Sequence, residues 1–232
     1  MDLVVQGLVK AFRLLLSGDP EVLEITLLTL RVSGLATLIS LFLGVPLGLY
    51  LAVARFRGRE LVVGAVNTGM GLPPTVVGLW VSILLWRNGP LGMLGLMYTP
   101  TAIVIAQAVI ALPVVTGLTM AAVQQLSPKL RLQVLALGAS PLQFWWIILR
   151  EVRFGILAAV MAGLGSVISE VGASMAVGGN VRGYTRVLTT AIVLEVSKGN
   201  FDMALALGFV LMVLTYSITY ALTIVQQRRR RW

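Results

Sequence analysis

The chain of 232 residues is 58% hydrophobic and only 12% charged, with a mean hydropathy of +0.94, well outside the composition of soluble domains. It has no cysteine and no histidine, which excludes disulfides, thiolate chemistry and imidazole metal sites. Its net charge of +9 sits where it sets membrane topology rather than in a nucleic-acid patch.

The fold class that follows is all-α transmembrane. A spanning helix needs about 20 apolar residues, and five stretches supply them, near 25–54, 61–86, 99–123, 155–178 and 203–225. One transmembrane domain is expected over 21–227, between an N-terminal helix in 1–20 and a basic tail in 228–232.

Residues 3–16 carry apolar side chains on most of one face, with Gln6, Lys10 and Arg13 at helical spacing opposite. That pattern predicts an interfacial helix rather than a span, and its charges argue against a cleavable signal peptide. Asp19-Pro20-Glu21 then carries the start signals of the first span. This span contains Gly44-Val45-Pro46-Leu47-Gly48, which permits a bend or close helix approach, and it ends in Arg55, Arg57 and Arg59.

The second span is interrupted by Leu72-Pro73-Pro74-Thr75. Backbone groups freed inside a bilayer are tolerated only beside neighbours or a water-filled cavity, so the break is placed toward the bundle interior. The third span passes through Gln107 and Pro113, and the fourth carries Glu170 and ends at Gly178-Gly179-Asn180. A short amphipathic helix across 186–197 is expected outside before the fifth span returns inward to Arg228–Arg231.

Between the third and fourth spans lies a polar-flanked elbow, 126–150. Ser127-Pro128 opens one short helix and Gly138 stops it in the left-handed conformation. Ser140, Pro141 and Gln143 then form a capping box for a second helix. With five spans, this arrangement places eleven basic residues against Glu60 and Glu151 on the elbow side, and seven basic against six acidic residues on the other. The positive-inside rule makes the elbow and C-terminus cytoplasmic and the N-terminus external.

The elbow resembles the cytoplasmic coupling loop of type I ABC importer membrane subunits. Gly138, Ala139 and the apolar Phe144, Ile147, Ile148 and Leu149 match that family's pattern, whereas Leu132, Gln133 and Val134 stand where it has an E-A-A triplet. The segments 72–78, Gly89-Pro90-Leu91-Gly92, Ser169-Glu170-Val171-Gly172-Ala173 and 177–190 are similar to the molybdate, sulfate and tungstate branch, most of all to its tungstate-type permeases. The resemblance implies a non-catalytic, multi-pass subunit of the cell inner membrane, paired with a second copy and surrounded by lipid. It also implies two ABC ATPase subunits, which carry the ATP and Mg, and an external solute-binding protein. No cofactor and no nucleic acid is expected on this chain. In that reading Leu132, Gln133, Leu135, Ala136, Gly138, Ala139 and Ser140 couple to the ATPase.

The remaining candidates are few. Pro73, Pro74, Thr75, Glu170, Gly172 and Asn180 are gate or pore candidates, while Arg182, Arg186, Thr189 and Thr190 are placed at the outer mouth as donors to an oxyanion or a partner's acidic rim. Glu170 lies eight residues from its span's outer end, roughly 12 Å deep, and Arg31 six residues into the first span, roughly 9 Å deep. The two are therefore candidates for an intramembrane ion pair, the alternative being a gate role for Glu170. A carboxylate repels an oxyanion, so Glu170 is read as a brace or an acceptor from backbone amides rather than a ligand. The cargo expected is tungstate, with molybdate or sulfate as alternatives. An ATP-independent channel or secondary carrier, with the elbow as an interfacial anchor, is the alternative from another class.

Overall fold

The computed structural model describes residues 2–228, and all the secondary structure among them is helical. Arg229–Arg231 and the side chains of Gln6, Arg131 and Arg228, which carry part of the polarity and charge pattern, lie outside the described set. The helices are α1 (Asp2–Ser17), α2 (Pro20–Val53), α3 (Arg59–Gly71), α4 (Pro74–Leu85), α5 (Pro100–Gln124), α6 (Pro128–Ala136), α7 (Pro141–Glu151), α8 (Arg153–Ile168), α9 (Gly172–Gly178), α10 (Leu188–Ser197) and α11 (Phe201–Arg228). Three of them, α2, α5 and α11, are long and apolar enough to cross a membrane unaided. The pairs α3–α4 and α8–α9 bend by 107° and 58°, and counting each pair as one span gives the five expected.

Local chemistry accounts for the boundaries. The Asp19 carboxylate accepts from the amides of Glu21 and Val22, both at 3.1 Å, which starts α2 behind Pro20. At the other end Arg59 Nε donates to Leu51 O at 2.8 Å, satisfying a terminal carbonyl. Pro46 does not stop α2: it lies on the exposed side, while Gly44 and Gly48 face α5. A Cβ on Gly48 would stand 2.6 Å from Thr116 O, so the two backbones meet where only hydrogen fits. Ser40 Oγ bridges the same pair by donating to Ala108 O at 3.0 Å.

Helix α5 is the axis of the bundle, in contact with α2, α3, α4, α8 and α9. Two apolar clusters pack against it, and a third joins α2, α10 and α11. Val22, Ile25, Leu188, Leu207 and Val210 join α2 to α10 and α11 at the end opposite the elbow. Val32, Ala36, Val81, Ile103, Ala106 and Val177 fill the middle, and Leu49, Val123, Ile148 and Val152 close the elbow end around α7. Between spans this burial stabilises through close packing, since lipid tails are as apolar as these side chains.

Helix α1 turns Gly7 and Ala11 toward α11, with Gly7 against Leu205, and leaves Val4, Val5, Leu8, Val9 and Phe12 exposed. Lys10, expected on the face opposite the apolar stripe, forms an ion pair with Asp202 on α11. The short helix expected before the last span is present as α10. It is started by threonines: Leu188 N donates to Thr29 Oγ1 at 2.9 Å, and Val187 N to Thr190 Oγ1 at 3.1 Å.

Candidate gate and coupling elbow

The elbow is built by its caps. Ser127 Oγ accepts from Lys129 N at 3.3 Å, and Gly138 takes φ +75°, ending α6 through bonds from Gly138 N to Leu135 O and from Ala139 N to Val134 O. Ser140 N then donates to Gln143 Oε1 at 2.8 Å while Gln143 N donates back to Ser140 Oγ at 3.4 Å, completing the capping box. One side of the elbow is anchored by Ile148, fully buried between α2, α5 and α8. The other side is free: Leu132, Leu135 and Leu137 are 67%, 57% and 87% exposed, beside exposed Gln133, Ala136 and Ser140 and half-buried Ala139. Exposed apolar side chains gathered at one corner mark an interaction surface.

The gate candidates gather where the two bent spans touch. Helix α3 ends at Gly71 and the chain turns through Leu72 and Pro73, whose carbonyl accepts from Val76 and Val77 at the start of α4. Helix α9 packs on α4 at glycine contacts. A Cβ on Gly78 would come 2.6 Å from Ala173 Cα, and one on Gly172 would come 2.4 Å from Thr75 Cγ2. Glu170 sits at the bend of the other span, 7% exposed, with Oε1 accepting from Ala173 N at 2.8 Å. Its carbonyl accepts from Thr189 Oγ1 at 2.8 Å. Beside this junction Gly69, Met70, Pro73, Pro74, Ile110 and Ser166 line a cavity of about 240 Å³.

Arg31 does not join this group. It is exposed on α2, on the side away from buried Val32, Ser33 and Thr29, and none of the ion pairs among the described residues links it to Glu170. Depth alone suggested that pairing, and helical phase removes it. Thr189 and Thr190 also stand elsewhere than expected: both are buried, and their hydroxyls donate to Glu170 O and Val187 O instead of facing the outer mouth. Arg182 and Arg186 lie at the end of the bundle opposite the elbow, and both reach one carboxylate, Glu21, Arg186 Nη1 at 3.5 Å from Oε1. Asn180 holds φ +54° and donates from Nδ2 to Thr190 O at 3.4 Å, closing the loop between α9 and α10.

Several structural residues escape a reading by motif. Thr185 Oγ1 donates to Gly178 O at 2.6 Å and accepts from Val181 N at 2.9 Å, and Gln107 Nε2 donates to buried Ser174 Oγ at 3.3 Å. Glu21 is the acceptor for both arginines. Near the outer end, hydrogen bonding from Lys198 holds the Glu195 carboxyl below its ordinary range against the opposing effect of burial, with Asn200 contributing a second bond.

Residues 44–231 match the family described as binding-protein-dependent transport system inner membrane component. The tungstate uptake system permease protein TupB of Peptoclostridium acidaminophilum is 38% identical over 98% of this chain and 100% of its own length. TupB of Campylobacter jejuni is 32% identical over 95% of this chain and 92% of its own, and a molybdenum transport permease, ModB of Azotobacter vinelandii, is 26% identical over 84% and 90%. Among solved structures, the inward-facing MetNI methionine ABC transporter aligns with a TM-score of 0.73 at 21% identity, covering 90% of this chain and 94% of that one. A bacterial alginate ABC transporter in complex with an alginate-pentasaccharide-bound periplasmic protein aligns at 0.74 and 20%, covering 90% and 79%. The fold is that of type I ABC importer membrane subunits.

Proposed function

Because this chain belongs to the family of binding-protein-dependent transport system inner membrane components, we propose that it is the pore-forming subunit of an ATP-driven oxyanion importer whose principal cargo is tungstate. The observation that carries the cargo is similarity along the whole chain to two tungstate uptake permeases, at 38% and 32% identity, against 26% for a molybdenum permease. In this reading two copies of the chain form the pore, two ATPase subunits bind ATP and Mg, and an external binding protein delivers the anion. The chain itself is non-catalytic and holds no cofactor. Leu132, Leu135 and Leu137, each more than half exposed, are the surface offered to the ATPase.

The geometry supplies a route from the elbow to the bent spans. Ile148 fixes α7 among α2, α5 and α8, so displacement of the elbow loads the cytoplasmic end of α8. Helix α8 ends at the bend carrying Glu170, and α9 beyond it packs on α4 immediately after the proline break. A change of angle at one bend therefore works against the other, which provides alternating access with rigid segments and two corners. Glu170 acts as a brace, holding the first turn of α9 through the Ala173 amide while its negative charge keeps it from serving as an oxyanion ligand.

The test is ATP hydrolysis in vesicles reconstituted with the ATPase partner and the binding protein, loaded in turn with tungstate, molybdate and sulfate. Tungstate is expected to stimulate most. Equal stimulation by all three would remove the cargo preference, and failure of any ATPase to copurify would overturn the importer itself.

A further inference from the structure

We propose that the groove between α2, α7 and α8 on the elbow side binds one anionic phospholipid of the cytoplasmic leaflet. The inference rests on the reading that the elbow is cytoplasmic, and it assigns a ligand to a surface that the transport reading does not use. Phe42, Val45 and Leu49 of α2, Trp145 and Leu149 of α7 and Val160 of α8 line an open groove of about 1020 Å³. A second hollow of about 480 Å³ continues from Leu49, Trp145 and Leu149 to Gln143 and Trp146. Together they run from mid-span to the membrane surface as an apolar trough.

Charge and aromatic placement define the occupant. The mid-span end, at Leu38 and Val160, has no ionisable side chain in its lining. The elbow end is rimmed by Tyr50, Trp145 and Trp146, amphipathic rings suited to headgroup depth. Phe56 stacks on Tyr50 with centroids 6.0 Å apart, which brings the Arg55–Arg57 turn to that rim. Arg150 follows Leu149 directly, and Arg153 lies one helical turn before the lining residue Ile156; both are exposed. The acidic neighbours in sequence, Glu60 and Glu151, are outnumbered. An apolar trough with cations at one end complements an amphiphile with a hydrocarbon tail and an anionic head. A second copy of the chain fits worse, because a copy in the same orientation brings its own arginines to the same depth.

Such a lipid would lie between α2 and the anchored side of the elbow, filling space that no protein side chain fills. The measurement is native mass spectrometry of the purified full chain, offered phosphatidylglycerol or phosphatidylcholine with identical acyl chains. One phosphatidylglycerol per copy is expected to be retained in preference to phosphatidylcholine, on the order of tenfold. Arg150→Gln combined with Arg153→Gln should abolish the preference and leave the fold intact, and Val160→Trp, which fills the trough, should abolish retention of both lipids. Val160→Ala, which leaves the trough open, should retain the lipid and so separates filling from misfolding. Equal retention of the two lipids by the unsubstituted chain overturns the proposal, as does a preference that survives the double arginine substitution. A disulfide between Val45→Cys residues of two copies overturns it in favour of a second chain. Lipid retention is read without transport, so its failure is distinguishable from failure of the tungstate reading.

Discussion

Gly172 and Thr75 leave each other no room, and that contact is where the two bent spans are most sensitive to one atom. A methyl on Gly172 would lie 2.4 Å from Thr75 Cγ2, inside any real carbon contact. Gly172→Ala is therefore expected to cut uptake and lower stability by about 1–3 kcal/mol, and Thr75→Ser, which deletes Cγ2, should restore both. Thermal unfolding and uptake of the single and double variants decide this, and a double variant no better than Gly172→Ala would refute the contact. Glu170 offers a second test. Glu170→Gln keeps an oxygen for the Ala173 amide, whereas Glu170→Ala removes the acceptor from a buried N–H at a cost of about 1–3 kcal/mol. The Gln variant should transport and the Ala variant should not; similar transport by both would mean that the brace does not matter. Glu170 stands out in the sequence as the ionisable group deep in an apolar span, but its partner is a nearby amide, not Arg31. Residue counting gives depth, whereas pairing also needs the direction in which each helix face points.

At the scale of elements, helix starts were the most legible feature because each is written in a few adjacent residues. Asp19-Pro20, Ser127-Pro128 and Ser140-Pro141 each pair a capping side chain with proline in the first turn. The elbow's Gly138 is the corresponding stop, and Gly138→Val puts a β-branched residue at φ +75°. The expected strain is about 1–2 kcal/mol or more. Uptake should fall while the partner ATPase still hydrolyses ATP, measured side by side in the same vesicles; unchanged uptake would count against transmission through the elbow. Bend angles were not legible. Pro73-Pro74 announces a break, but the 107° that accompanies the packing of α4 on α9 is not written there, and the 58° bend at 169–171 carries no proline. Threonines that close the outer loops were equally hidden, since a hydroxyl's partner there lies on another element or several residues away.

For the molecule as a whole, composition and the positive-inside pattern led directly to a multi-pass bundle, and the apolar clusters that join α2, α5 and α11 to their neighbours are its physical counterpart. Orientation can be measured cleanly because the natural chain has no cysteine. Asn88→Cys should react with a membrane-impermeant maleimide in intact cells, whereas Leu137→Cys should react only after permeabilisation. The reverse pattern would invert the topology and move the elbow away from any cytoplasmic ATPase.

The contacts of α1 and of Glu21 have a consequence for biogenesis. Helix α1 seats on α11 through Gly7 and Lys10, and Glu21 at the start of α2 holds Arg182 and Arg186 from the loop before α10. The first segments to leave the ribosome thus find their partners among the last. A nascent chain that stops before Phe201 has inserted most of its spans, yet α1 has no seat and the outer cluster lacks Leu207 and Val210. Closure of this end must therefore wait for synthesis of the final helix.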